Sequence, residues 1–91
     1  MDKLILKHTG FYVEGTARVL LWDGSVAEVE MDAFHVASLD DIPKNVNDGR
    51  LGCQRILAAK CTIYRDYEGT YRFHEIRNYE GSELSNAKKG I

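Results

Sequence analysis

Apolar and polar residues alternate with a period of two along most of this chain, the spacing that sets apolar side chains on one face of a β-strand. Residues 16–21 and 25–31 flank the tripeptide Trp22-Asp23-Gly24, and residues 58–66 and 70–76 flank Tyr67-Glu68-Gly69. An aromatic, an acid and a glycine between two runs rich in Val, Ile, Leu, Tyr, Phe and Thr signal a tight hairpin, with glycine supplying the positive φ. Two such hairpins in 91 residues predict a small β-rich domain.

Side-chain pairing selects the loop lengths. A two-residue first loop sets Val19 against Glu28 and Ala17 against Glu30. A three-residue loop, Trp22 to Gly24, sets Val19 against Ala27, Ala17 against Val29, Arg18 against Glu28 and Leu20 against Val26. The longer loop keeps one face apolar, and a slip of one residue exchanges the faces. Gly24 then takes the left-handed position of a type I turn with a G1 bulge. The same test on the second hairpin rejects a two-residue loop, because Arg65 meets Arg72. The three-residue loop gives an inward face of Ala59, Cys61, Ile63, Tyr71 and Phe73. Its outward face is Lys60, Thr62, Tyr64, Asp66, Arg72 and His74.

Residues 4–13 read as one or two further strands, with a bend at Gly10 and a bulge or corner at Gly15. Residues 33–39 continue the sheet. The expected fold is a five- to six-stranded antiparallel sheet curled into a small barrel or roll, with room for one short helix. Residues 40–52 form the one long connection. Ser38 and Asp41 are placed to cap a single turn around Pro43, the only proline. Residues 1–80 form the domain. Residues 81–91 form a polar tail in which Ser82 caps about two helical turns, too short to hold in water except by weak docking of Leu84.

The composition is that of an ordinary globular domain, 44% hydrophobic and 29% charged, with a net charge of −2. The charge is uneven. Residues 1–48 carry four Lys/Arg against nine Asp/Glu, and residues 49–91 carry eight against five. Complementary packing within the fold, head-to-tail self-association, and a basic face for an acidic partner all produce such a division. The N-terminal apolar run is too short for a signal peptide or a membrane span, so the expected location is the cytoplasm with reduced thiols. Spacing alone permits a Cys53–Cys61 disulfide.

The chemistry-bearing residues are sparse. His8, His35, His74, Cys53 and Cys61 lack the close pairs of a zinc site. The residues around Gly49 put Lys44 and Val46 where a calcium loop needs oxygen. No glycine pattern matches a phosphate-binding loop, so no metal and no cofactor is expected. Cys53 lies between Arg50 and Arg55, cations that lower a thiol pKa, but a nucleophile also needs a histidine and an oxyanion donor.

Three functional readings follow. The first is a non-enzymatic protein-interaction module, accessory or inhibitor-like and self-associating. It binds through the hairpin tips Trp22 and Tyr67 and the long loop with Asn45, Asn47 and Arg50, because large rings at tips have little reason to be there without a contact. The second is a single-stranded nucleic-acid binder using Lys60, Tyr64, Arg72 and His74, cations and aromatics interleaved on one strand face. The third is a Cys53-dependent enzyme.

Overall fold

The computed structural model describes residues 8–47 and 51–84. Arg50, the start of the first expected strand and the end of the tail lie outside the described residues. Four strands form one antiparallel sheet: β1 (His8–Leu20), β2 (Val26–Val36), β3 (Arg55–Tyr67) and β4 (Thr70–Glu80), in the order β2-β1-β3-β4. A 3-10 turn (Leu39–Asp41) and the short helix α1 (Ile42–Val46) connect β2 to β3. Residues 81–84 are helical. Among the described residues no helix is long and apolar enough to cross a membrane.

The mainly β class and the single short helix between β2 and β3 agree with the sequence. The strand count and the closure do not. The sheet has four strands and stays open, with β2 and β4 as its edges. Expected strands merge because two glycines serve close approach rather than corners. β1 runs unbroken through Gly10 and Gly15. A Cβ on Gly15 would lie 1.9 Å from the Lys60 carbonyl oxygen, and one on Gly10 would lie 2.7 Å from that of Val36. Likewise residues 33–36 belong to β2. A bulge absorbs one extra residue there, between the pairs Val13–Phe34 and Gly15–Met31.

The first hairpin closes as the pairing argument requires: Leu20 opposes Val26, Val19 opposes Ala27 and Arg18 opposes Glu28. Leu21 N–H donates to the Ser25 carbonyl at 2.8 Å, Gly24 N–H to that of Leu21 at 3.0 Å, and Gly24 has φ +92°. The Asp23 carboxylate accepts from the Ser25 hydroxyl and backbone N–H, which holds its pKa below the usual range.

The second hairpin closes one residue shorter than expected. Tyr67 pairs with Thr70, so the loop is Glu68-Gly69, and Arg65 does face Arg72. Glu68 (φ +51°) and Gly69 (φ +95°) both take the left-handed region, the signature of a type I′ turn whose twist matches its strands. The like-charge clash is relieved by rings. Arg65 Cζ lies 5.5 Å from the Phe11 centroid, and Arg72 Cζ lies 5.4 Å from that of Tyr67. The shift turns Tyr71 and Phe73 outward and Arg72 inward. A bulge at His74, between the pairs Tyr64–Phe73 and Ile63–Glu75, returns Tyr79 to the core.

One face of the sheet is covered. Phe11, Val13, Ala17 and Val19 of β1, Ile56, Ala59, Cys61 and Ile63 of β3, Met31 and Val36 of β2, and Tyr79 of β4 pack under Ile42, Val46 and Leu84. This is a two-layer arrangement, a sheet against a helical connection. The Ser38 hydroxyl accepts from Asp40 N–H at 3.2 Å to start the 3-10 turn, and Pro43 sits in the first turn of α1. Leu84 is tied in as well. Asn47 Nδ2 donates to the Leu84 carbonyl at 2.6 Å, and Leu84 is fully buried. The turn at residues 81–84 starts before Ser82, which therefore does not cap it; Glu80 N–H donates to the Glu83 carboxylate at 2.7 Å.

Candidate interaction surfaces

The uncovered face carries a row of rings. Tyr12 in β1 pairs with His35 in β2 and with Tyr64 in β3, and Tyr64 pairs with Phe73 in β4. One cross-strand line therefore reads His35, Tyr12, Tyr64, Phe73 across all four strands. Centroids are 5.1 Å apart for Tyr12–His35, 6.1 Å for Tyr12–Tyr64 and 6.2 Å for Tyr64–Phe73. Tyr71, one pleat nearer the turn, stacks over Tyr12 at 4.7 Å. Phe73 is 62% exposed, Ile76 50% and Tyr71 48%. The polar rim of this patch is His35 Nε2, which lies 3.4 Å from the Tyr71 hydroxyl and 3.5 Å from Asp66 Oδ2.

Charge on this face is acidic. By register it carries Glu14, Glu28, Glu30, Asp66 and Glu80 against Arg18, Arg55 and Lys60. A second group of basic side chains lies behind it. Arg65, Arg72, His74 and His8 gather on the inward side of the β3–β4 turn end around Phe11 and Tyr67. Glu75 sits among them. Its carboxylate is bound by Arg77, and His74 Nε2 lies 2.9 Å from it. The hydrogen bond from Arg77 holds the Glu75 carboxyl below its ordinary range, with a smaller contribution from His74.

The residues nominated from sequence are dispersed. Trp22 is 73% exposed at the β1–β2 tip. Tyr67 is half-buried at the other end of the sheet, roughly 40 Å away at about 3.3 Å per residue. Asn45 and Asn47 serve the fold, Asn45 Nδ2 donating to the Asp41 carbonyl at 3.1 Å and Asn47 to Leu84. The nucleic-acid set is split, with Lys60 and Tyr64 outward and Arg72 and His74 inward. Cys53 and Cys61 are both free. Cys53 borders a depression of about 40 Å³ at the Leu20 end of the sheet, whereas His8, His35 and His74 all lie at the Phe11 end. Among the described residues no three His, Cys, Asp or Glu side chains gather as a metal site.

Sequence reasoning missed Tyr12, His35 and Ile76 and turned Tyr71 and Phe73 the wrong way. The signal was the Glu-Gly dipeptide itself, a two-residue turn pair once Glu is allowed φ > 0. No protein-family model, no curated protein and no solved structure matches the chain.

Proposed function

We propose that the protein is a non-enzymatic interaction module that binds another protein on the outward face of its sheet, anchored by Phe73, Tyr71, Tyr64 and Tyr12. The observation that carries this reading is the ring row crossing all four strands on the uncovered side. Aromatic side chains dominate the energetics of protein interfaces, and a monomer gains nothing from wetting a contiguous group of them. A second copy of the chain is one partner this reading includes. The outer sides of β2 and β4 have no strand paired to them among the described residues, and open edges accept added strands.

Single-stranded nucleic acid draws less support. The rings suit base stacking, but the face that carries them has five carboxylates and three cations by register, a balance that opposes a polyanion.

The test is capture with the tagged full chain, run in parallel for the native protein, Phe73→Asp and the control Glu28→Gln, with light scattering on each. The reading expects partners or self-association that survive Glu28→Gln and disappear with Phe73→Asp. Identical behaviour of the native protein and a folded Phe73→Asp variant overturns it.

A further inference from the structure

Arg65 and Arg72 stand directly opposite each other in the β3–β4 ladder. Like charges in that position repel, and a local rule broken inside an otherwise consistent fold marks a functional site more often than an accident. Each guanidinium lies over a ring, Arg65 over Phe11 and Arg72 over Tyr67. A guanidinium set over a ring face still has N–H edges to donate. A guanidinium has five such donors. Among the described residues Arg65 uses one, Nε–H to His74 Nδ1 at 3.4 Å. The pair opens to solvent, with Arg72 exposed and Arg65 half-buried. The carboxylate of that side, Glu75, is already held by Arg77 and His74.

We propose that Arg65 and Arg72, backed by Phe11 and Tyr67, form a carboxylate-binding site for an acidic segment of a partner protein. The site lies on the opposite side of the sheet from the aromatic row and does not rest on that row's function. Two planar forks match one or two carboxylates bidentately. They do not match a nucleic acid, whose binders typically neutralise about 6–10 phosphates. Glu75 beside the pair and Glu68 at the turn add repulsion that a continuous polyanion meets at every step and a short peptide does not.

Fluorescence anisotropy at low salt tests this with three labelled probes: octaglutamate, octaglutamine and octathymidylate. The site predicts binding of octaglutamate well above octaglutamine and octathymidylate. It also predicts about a tenfold loss with Arg72→Gln, the equivalent of one charged hydrogen bond. Arg72→Lys keeps the charge but loses the fork, and a comparable loss is expected. Amide spectra of each variant verify the fold, and shifts of the Arg65 and Arg72 Nε–H signals on adding octaglutamate locate the contact. Tighter binding of octathymidylate overturns the proposal in favour of nucleic acid. Salt-sensitive dimers that Arg72→Gln abolishes overturn it in favour of a second copy, whose β2 carries Glu28, Glu30 and Asp32. Equal binding of the two peptides, or native affinity in a folded Arg72→Gln variant, removes the site altogether.

Discussion

Tyr71 stacks on Tyr12 with ring centroids 4.7 Å apart and planes 25° from parallel. The two residues belong to strands that are not neighbours, since β3 runs between β1 and β4. The ring therefore leans across Tyr64 and Asp66 to bind edge strand to centre. An aromatic pair contributes about 0.5–1.5 kcal/mol beyond its area. Tyr71→Ala is expected to lower stability by about 1 kcal/mol and the melting temperature by about 4–8 °C for a domain of this size. Tyr71→Phe keeps the stack and loses only the contact between its hydroxyl and His35, so it melts within experimental error of the native protein. Equal loss in both variants would assign the effect to the hydroxyl instead.

Glu68 occupies a left-handed backbone position at φ +51°. A side chain with a Cβ pays roughly 1–2 kcal/mol there, and asparagine pays least. Glu68→Asn is expected to raise stability by about 0.5–1 kcal/mol, read from the urea midpoint at unchanged slope. A three-residue loop would not ask this of Glu68, so a neutral or destabilising Glu68→Asn would contradict the observed register.

That turn shows where the sequence was legible. The first hairpin could be read because its wrong register set Glu28 and Glu30 onto the core face, and burying unpaired carboxylates is too costly to compete. The second hairpin could not, because its penalty was an exposed Arg–Arg contact worth only a fraction of that cost. The rings of Phe11 and Tyr67 that relieve it come from β1 and from the last residue of β3. Pairing across β1 and β3 is a long-range fact that no local pattern contains. The same holds for the outward row: Tyr12, Tyr64 and Phe73 are 52 and 9 residues apart in the sequence and become neighbours only through the order β2-β1-β3-β4. Ser38 and Pro43 act within five residues of each other, and the turn they start was readable for that reason, although Asp41 makes no side-chain cap there.

Gly15 sets the spacing between the two central strands. A Cβ there would overlap the Lys60 carbonyl at 1.9 Å, against backbone that pairs on both sides and cannot retreat. Gly15→Ala is expected to cost more than about 3 kcal/mol, a large share of the margin of a small domain. Gly24→Ala meets nothing within 4 Å and bears only the strain of its φ, about 1 kcal/mol. Denaturant melts of the two variants should therefore differ severalfold in lost stability. Similar losses would mean that β1 and β3 do not approach as closely as described.

Cys61 lies against Gly15 in the same central pair, completely buried, and burial pushes its thiol up to about 11 from an ordinary 9.0. The folded chain therefore holds this proton more tightly than the unfolded chain. Between about pH 9 and pH 11 the unfolded state binds fewer protons, so its ionisation draws the equilibrium towards unfolding. Stability from this group is intact below pH 9 and falls progressively across that window, by on the order of 2 kcal/mol. Burial also raises the Tyr79 hydroxyl, which acts in the same direction. Cys61→Ala removes the thiol's share, so its stability should decline less steeply over the same interval, although it starts lower for the lost sulfur. Urea melts at intervals of pH provide the measurement. Alkylation followed by peptide mass spectrometry gives an independent reading, with half-buried Cys53 modified first and Cys61 only as the protein unfolds. Alkylation of Cys61 at the rate of Cys53 under native conditions would show that the central strands open far more readily than their packing implies.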